Sequence, residues 1–274
     1  MTADRITSRR NARVVDARKL DQRKHRRRQG RFRVEGLQLL HMAVEAGAQP
    51  REAFVSEAAR EDDAVALVVA RLEAAGAEIL PVTAHVMGAL AERDEPQGVV
   101  ATFDLCLTDA AEVDWGAPDG APALVLLLDR LQDPGNLGTL VRTADAVGAK
   151  AVILAEPCAD PFDLKAVRGS MGSLFNLPLV SVDDPQALAG RLVSAGFRLV
   201  GAEAHGGERW GDAALAGRVA LVLGNEARGV SADLAAMVDA QVTLPVPGRA
   251  ESLNVAVAGA VLMYAWLRQA EGGG

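Results

Sequence analysis

A short loop and the helix after it carry two side chains that suit a polar or anionic ligand. In "LDRLQDPGNLGTLVRTADAVGAKAVIL", residues 128–154, Asn136 lies in the loop and Arg142 in the predicted helix. A guanidinium binds phosphate and stabilises developing negative charge. The loop has two glycines but neither a third glycine nor a Gly-Lys-Ser/Thr sequence, so it matches no common phosphate-binding loop. The pattern indicates another kind of polar site, with a surface arginine on an ordinary helix as the alternative.

A second loop follows the apolar segment of "VALVLGNEARGVS", residues 219–231. Gly224 ends the predicted strand, Glu226 lies at its carboxyl end, and Gly229 closes the loop before a helix that Ser231 can cap. The loop contains no lysine, which argues against a P-loop. Taken alone, this pattern also fits a tight turn without a chemical role.

A third loop is braced by proline in "VTLPVPGRAESLNVAVAGAVLMYAWL", residues 242–267. Ser252 and Asn254 precede a helix that is otherwise apolar nearly all round. Both residue types cap helices well, but capping requires one of them. Together with the neighbouring Glu251, the pair predicts a functional loop.

Strand and helix signals alternate from about residue 122 onwards. Apolar segments such as "ALVLLLD", "KAVILA" and "VALVLG" are separated by stretches of helical periodicity. This alternation predicts an α/β fold with a mostly parallel sheet and helices on both faces. Such sheets bind ligands at the carboxyl ends of their strands, where the three loops are expected.

Four segments are predicted along the 274 residues, half of which are hydrophobic. They are a basic N-terminal extension (1–33), a small α/β domain (34–104), a linker rich in Pro, Gly and Asp (105–121), and the larger α/β domain (122–270). The extension holds 13 Lys/Arg and 3 Asp/Glu, although the whole chain has a formal net charge of −7. A basic block of this kind attracts polyanions such as RNA; a solvated tail is the alternative.

Composition argues against several protein classes. The two cysteines, Cys106 and Cys158, are far apart and the four histidines are scattered, so neither a disulfide scaffold nor a zinc site is expected. The longest apolar run has 13 residues, 255–267, whereas a membrane span needs about 20. No apolar core of a signal peptide is visible. We therefore expect a soluble, cytoplasmic protein without a metal.

Jointly, the three loops resemble the SpoU/TrmH branch of the SPOUT RNA methyltransferases. "DPGNLGTLVRTADAVGA", "LVLGNEARGVS" and "LPVPGRAESLNVAVAGAVLMYAW" are similar to the three motifs of that family in order and spacing. "VRGSMGSLFNLPLV" is similar to the usual link after the first motif. Near the N-terminus, "RKHRRRQGRFRVEGLQLL" and "DEPQGVVATF" resemble the ribosomal-protein-like substrate-binding domain of rRNA-modifying members.

The resemblance implies a deep trefoil knot that binds S-adenosylmethionine, and methyl transfer to a ribose 2′-hydroxyl of RNA. The residues implied to contact the cofactor are Gly224, Leu244, Leu253, Asn225, Val246, Ala202 and Leu223. Arg142 matches the catalytic arginine of the family. Because a guanidinium is a poor base, we expect Arg142 to bind the adjacent phosphate and stabilise the alkoxide. Asn136 and Glu226 are expected to hold Arg142 and the loops, while Ser252 and Asn254 orient cofactor and nucleotide.

The resemblance also implies two partners, RNA and a second copy of the chain. The homodimer is expected to use the C-terminal helix. RNA phosphates are expected to contact the basic residues Arg23, Lys24, Arg26, Arg27, Arg28, Arg31 and Arg33.

Three other functions share some of these features. A dinucleotide-binding oxidoreductase needs a complete glycine fingerprint, which this sequence lacks. A second alternative is an RNA-binding protein or chaperone that has lost most of its catalytic activity; the presence of all five candidate residues, Asn136, Arg142, Glu226, Ser252 and Asn254, argues against that loss. A tRNA methyltransferase shares the motifs, but the sizeable N-terminal domain favours rRNA. The substrate that we expect is rRNA of the large subunit.

Overall fold

The computed structural model describes residues 5–92, 95–116, 120–204, 206–210 and 213–272. Parts of the predicted extension, linker and larger domain lie outside the described residues, namely 1–4, 117–119, 205 and 211–212. The chain forms two compact units. Unit 1 comprises residues 1–106 together with 162–175, and unit 2 comprises 107–161 and 176–274.

Unit 1 contains a four-stranded sheet with helices. Its elements are α1 (Ala12–Lys19), α2 (Arg23–Gln29), β1 (Arg31–Glu35), α3 (Leu37–Glu45), β2 (Pro50–Ser56), α4 (Asp63–Ala74), β3 (Glu78–Val82), α5 (Ala84–Leu90), β4 (Val99–Asp104) and α7 (Leu164–Gly169). The strand order is β1-β4-β2-β3. β4 pairs antiparallel with β1 and β2, and β2 pairs parallel with β3.

The basic N-terminal segment is part of this fold. Val14 and Ala17, three residues apart on α1, are fully buried and pack with Phe54 and Val82 of the sheet. The boundary predicted after residue 33 falls inside β1. Residues 5–33 therefore form helices and a strand of unit 1 rather than a separate extension.

Residues 162–175, which the sequence placed in the larger domain, also pack in unit 1. The ring of Phe32 in β1 lies 4.7 Å from that of Phe162 and 6.1 Å from that of Phe175, measured between centroids. Gly172 lies directly against Met42. A Cβ atom at position 172 would lie 2.5 Å from the sulfur of Met42, so a residue with a side chain would collide there. These aromatic contacts explain why the segment belongs to the core of unit 1.

Unit 2 is built around a seven-stranded sheet. Its elements are β5 (Ala123–Asp129), α6 (Pro134–Ala146), β6 (Ala151–Ala155), β7 (Leu179–Val182), α8 (Pro185–Ser194), β8 (Arg198–Ala202), β9 (Glu208–Arg209), β10 (Arg218–Leu223), α9 (Ala232–Ala235), β11 (Ala240–Thr243) and α10 (Val255–Ala270). The strand order is β7-β6-β5-β10-β8-β11-β9, and every neighbouring pair is parallel. The predicted α/β fold with a parallel sheet is confirmed. The trefoil knot stays a prediction.

The central strands of unit 2 are buried on both faces. All seven residues of β5 and five of the six in β10 are buried, which explains their uninterrupted apolar sequences. Gly259 of α10 allows close contact with α6, since an added Cβ would lie 2.5 Å from Cδ2 of Leu140. The apolar C-terminal helix is thus held against α6, and the loop before it lies near the site described next.

Candidate functional site

The three sequence motifs meet at the carboxyl edge of the parallel sheet in unit 2. β10 lies between β5 and β8 in the sheet, whereas β6 follows β5 in the chain and lies on its other side. The strands that follow β5 in the chain are thus added first on one side of β5, as β6 and β7, and then on its other side. Open α/β sheets bind ligands at such a switch point.

The loop between β5 and α6 is shaped by a helix cap. The carboxylate of Asp133 accepts a hydrogen bond from the backbone N–H of Asn136 at 2.7 Å. Pro134 occupies the first turn, where a missing N–H is tolerated. Asn136 is consequently held in the first turn of α6.

The loop after β10 is closed on itself. A Cβ at Gly224 would lie 2.1 Å from the carbonyl carbon of Gly229, so a side chain at this position would collide with the backbone. Asn225 and Gly229 exchange two backbone hydrogen bonds of 3.0 and 2.9 Å. The side chain of Asn225 donates to the carbonyl of Arg130 at 3.0 Å, which fixes this loop to the end of β5.

A chain of hydrogen bonds joins all three loops. Nδ2 of Asn136 donates to Oε1 of Glu226 at 3.1 Å, and Nδ2 of Asn254 donates to Oδ1 of Asn136 at 3.0 Å. The backbone N–H groups of Gln132 and Asp133 also donate to the Glu226 carboxylate, each at 3.4 Å. Because an ionised carboxylate only accepts, Glu226 determines the orientation of both amides.

Asn254 caps α10 and also bonds to the loop between β5 and α6. Its Oδ1 caps α10 by accepting from the backbone N–H groups of Ala256 and Val257, at 2.9 and 3.2 Å. Its amide nitrogen at the same time donates to Asn136. Ser252 is exposed and does not cap the helix.

A buried acid next to the site was missed by the sequence reasoning. Asp129, the last residue of β5, is 1 % exposed. It accepts from the N–H of Ser231 at 2.5 Å and from Nε of Arg130 at 3.1 Å. Arg130 has a φ of 58°, a left-handed conformation that is uncommon outside glycine. An acidic residue at the end of an apolar strand was the available signal.

A cavity of about 550 Å³ opens beside these loops. All seven residues predicted to contact the cofactor line it, namely Ala202, Leu223, Gly224, Asn225, Leu244, Val246 and Leu253. A recess of about 520 Å³ is lined by Gln132, Asp133, Asn136, Glu226 and Asn254. Glu226 and Asn254 line both the cavity and the recess, so the hydrogen-bonded chain separates two adjoining spaces.

Arg142 lies on an exposed part of α6. Within the described part of the chain its side chain forms no hydrogen bond or ion pair. Asn136 and Glu226, which were expected to hold Arg142, bond to each other instead. The guanidinium therefore keeps all its donors available for a ligand.

The candidate RNA-binding residues of unit 1 fall into two groups. Arg26 and Arg33 are 3 % and 4 % exposed; Arg26 donates to a backbone carbonyl at 2.7 Å, and Arg33 pairs with Asp21 at 2.8 Å. Arg31 is partly buried and pairs with Glu52 at 2.5 Å. Burial lowers the pKa of Arg33 below its ordinary value. These three side chains hold unit 1 together.

The other candidates lie on α2. Lys24, Arg27 and Arg28 are exposed, and Arg23 is partly buried. Lys24 and Arg28 form no hydrogen bond or ion pair with the described residues. α2 thus presents a basic surface, although the buried Arg26 belongs to the same helix.

Two absences hold for the described ranges. No group of three or more His, Cys, Asp or Glu residues there is arranged to hold a metal ion. No helix of those ranges is long and apolar enough to cross a membrane.

Family models match both halves of the chain. Residues 123–264 match the SpoU rRNA Methylase family. Residues 11–101 match the MRM3-like substrate binding domain. The two matches lie on either side of the predicted linker.

Curated relatives align over nearly the full chain. The 23S rRNA (guanosine(2553)-2′-O)-methyltransferase RlmP of Bacillus subtilis is 33 % identical, covering 94 % of this chain and 97 % of its own length. The 23S rRNA (uridine(2479)-2′-O)-methyltransferase of Streptomyces viridochromogenes is 35 % identical, covering 97 % and 93 %. These two names agree on the RNA and the ribose position but differ in the nucleotide.

Solved structures share the fold. The SpoU methyltransferase AviRb from Streptomyces viridochromogenes in complex with the cofactor AdoMet has a TM-score of 0.86 and 32 % identity, covering 97 % of this chain and 100 % of its own. An AdoMet-bound rRNA methyltransferase from Sinorhizobium meliloti has a TM-score of 0.85 and 33 % identity, covering 96 % and 97 %.

Proposed function

The chain belongs to the SpoU rRNA methylase family, and we propose that it transfers a methyl group from S-adenosylmethionine to a ribose 2′-hydroxyl of 23S rRNA. The observation that carries this function is the hydrogen-bonded chain of Glu226, Asn136 and Asn254, which lies between the cavity and the adjoining recess. We assign the cavity to the cofactor and the recess to the target nucleotide. The proposal places the protein in the cytoplasm.

The residues of the cavity fit S-adenosylmethionine. Its volume of about 550 Å³ lies in the range of about 300–1,000 Å³ typical of small-molecule sites. Leu223, Leu244, Val246 and Leu253 supply apolar walls for the adenine ring, and the loop backbone supplies donors and acceptors for its edge. Bound there, the cofactor supplies an electrophilic methyl group on a positively charged sulfur.

We assign the chemical role to Arg142. Methyl transfer forms a bond from the ribose oxygen to carbon, breaks a sulfur–carbon bond, and releases the hydroxyl proton to solvent. A guanidinium donates hydrogen bonds and has no acceptor, so Arg142 is suited to stabilise the negative charge that develops on the oxygen. Its unpaired donors also suit the phosphate next to the target ribose.

Glu226, Asn136 and Asn254 act as positioning residues in this mechanism. The oxygens of Glu226 already accept three hydrogen bonds, so this carboxylate is poorly placed to take a proton. Its function is to keep the loops of motifs one and two at a fixed distance. Ser252, exposed at the rim of the cavity, is assigned to hydrogen bonding with cofactor or nucleotide.

Unit 1 is assigned to RNA binding, with α2 as the contact surface. Lys24, Arg27, Arg28 and Arg23 are retained as phosphate contacts because they are exposed or partly exposed. Arg26, Arg31 and Arg33 are left out of this proposal because their guanidinium groups are buried or paired.

The proposal includes a homodimer and the trefoil knot of the family. Val257 and Tyr264 of α10 are 51 % and 53 % exposed, and nearby Trp210 is 39 % exposed. Apolar side chains exposed together on one helix face suit burial against a second copy. Light scattering at micromolar concentration tests this arrangement, which a monomer would contradict.

The experiment for the function is methyl transfer from labelled S-adenosylmethionine to 23S rRNA by the full chain. Digestion of the RNA should yield a 2′-O-methylated nucleotide, and sequencing-based mapping should locate one position. Transfer to tRNA but not to rRNA, or a methyl group on a base, would contradict the proposal.

A further inference from the structure

A carboxylate without an assigned role lines the cofactor cavity. Glu203 directly follows β8, is partly buried, and lines the cavity next to Ala202. Its backbone N–H donates to the carbonyl of Val242 at 3.0 Å, which fixes the residue against β11. Its side chain has no hydrogen-bonding or ion-pairing partner within the described ranges. The acceptor capacity of this carboxylate is therefore available to a ligand.

The other charged residues of the cavity differ from Glu203. Glu226 accepts hydrogen bonds from the loop of motif one. Arg228 is exposed and of opposite sign. The remaining lining residues are uncharged: they are apolar or glycine residues, apart from Asn225, Ser252 and Asn254. A partly buried carboxylate without a partner is unfavourable, and a cationic ligand group in the cavity would compensate it.

We propose that Glu203 is the counter-charge for the cationic groups of S-adenosylmethionine. This inference rests on the proposed function, because it concerns the cofactor cavity. S-adenosylmethionine carries an ammonium and a sulfonium group. The product S-adenosylhomocysteine retains the ammonium, and 5′-methylthioadenosine has neither cation. Glu203 therefore favours binding of the cofactor over the spent product.

The test compares these three ligands by titration calorimetry with the full chain. Glu203→Gln keeps the size of the side chain and removes its charge. A hydrogen bond to a charged group changes affinity on the order of tenfold. We expect Glu203→Gln to weaken binding of S-adenosylmethionine about tenfold, to weaken S-adenosylhomocysteine less, and to leave 5′-methylthioadenosine unchanged.

Two further variants complete the design. Asp233→Asn removes an exposed carboxylate of α9 that does not line the cavity, and it should leave all three affinities unchanged. Glu203→Ala should rank the three ligands in the same way, with the largest loss of affinity for S-adenosylmethionine. Melting temperatures check that each variant is folded.

Two results would overturn the inference. Equal losses of affinity for all three ligands would show that Glu203 contacts the adenosine portion rather than the cationic groups. Unchanged affinities would show that Glu203 does not contribute to ligand binding. Failure of the unaltered chain to bind S-adenosylmethionine would instead contradict the proposed function.

Discussion

The basic segment of unit 1 and the three-loop site of unit 2 are both rich in polar side chains, yet they use them differently. In the basic segment, Arg26 and Arg33 are buried and bonded within the unit, while Lys24 and Arg28 are exposed and unpaired among the described residues. In the site, a connected chain of hydrogen bonds holds the loops, and the exposed Arg142 stands apart from that chain.

Residue type alone therefore does not identify the group that acts on a ligand. The hydrogen bonds already made by a side chain are more informative, because a donor bonded within the protein is not available to a substrate. In both regions the buried, bonded groups define geometry, and the exposed or partly exposed cations are the candidates for contact with RNA.

Displacement of the second loop should have the largest effect on the site. Gly224→Ala puts a Cβ within 2.1 Å of the Gly229 backbone, so the loop that carries Glu226 has to move. We expect affinity for S-adenosylmethionine to fall at least 100-fold and the free energy of unfolding to fall by about 1–3 kcal/mol. Gly190→Ala is the matched control, since nothing lies within 4 Å of its added Cβ. Unchanged cofactor binding in Gly224→Ala would contradict the described loop.

Replacement of Glu226 should affect catalysis more than stability. Glu226→Gln replaces one acceptor oxygen by an NH₂ group, which faces either the backbone N–H of Gln132, at the Oε2 position, or the donors of Asp133 and Asn136, at the Oε1 position. Misplacement of a reacting group by about 1 Å costs on the order of 100-fold, so we expect that loss in kcat/KM. Water can reach this exposed position, and the melting temperature should change little. A pH–rate profile separates this role from that of a base: the variant should keep the profile shape of the unaltered enzyme.

Asn254 allows its two roles to be separated. Asn254→Ser retains a capping oxygen for α10 but loses the amide that donates to Asn136. We expect about a tenfold loss of kcat with a nearly unchanged melting temperature. Asn254→Ala should lose the cap as well and cost about 1 kcal/mol of unfolding free energy. Full activity of Asn254→Ser would show that the bond to Asn136 has no functional role.

The basic segment should give the smallest and most specific effect. Replacement of Lys24 and Arg28 together by alanine should reduce the salt slope of RNA binding by about 1 for each phosphate that is no longer neutralised. The melting temperature should stay the same. Arg33→Ala should lower the melting temperature and leave the salt slope unchanged, because the loss of its pair with Asp21 destabilises unit 1. Filter binding across a salt series, beside thermal unfolding, distinguishes the two outcomes.

Most of unit 2 could be predicted from the sequence because its signals are local. Continuous apolar segments predicted buried parallel strands, and β5 and β10 confirm this. The packing of residues 162–175 in unit 1 could not be predicted, since it depends on contacts of Phe162 and Phe175 with the distant Phe32.

The sequence allowed candidate residues of the site to be selected, but it did not predict the hydrogen bonds between them. The motifs identified Asn136, Glu226 and Asn254, and the cavity contains each residue predicted to contact the cofactor. The sequence did not reveal that Asn136 and Glu226 bond to each other rather than to Arg142. Such pairing is determined by the geometry of loops that lie far apart in the chain, which periodicity does not encode.

Arg142 is the residue on which the proposed mechanism depends most directly, since its guanidinium is assigned to the transition state and not to the cofactor. Methyl transfer and S-adenosylmethionine binding should therefore be measured side by side for Arg142→Ala. We expect kcat to fall by about 1,000-fold while the dissociation constant of the cofactor changes less than about threefold. Full activity of the variant would contradict the assignment, and so would equal losses of activity and cofactor affinity.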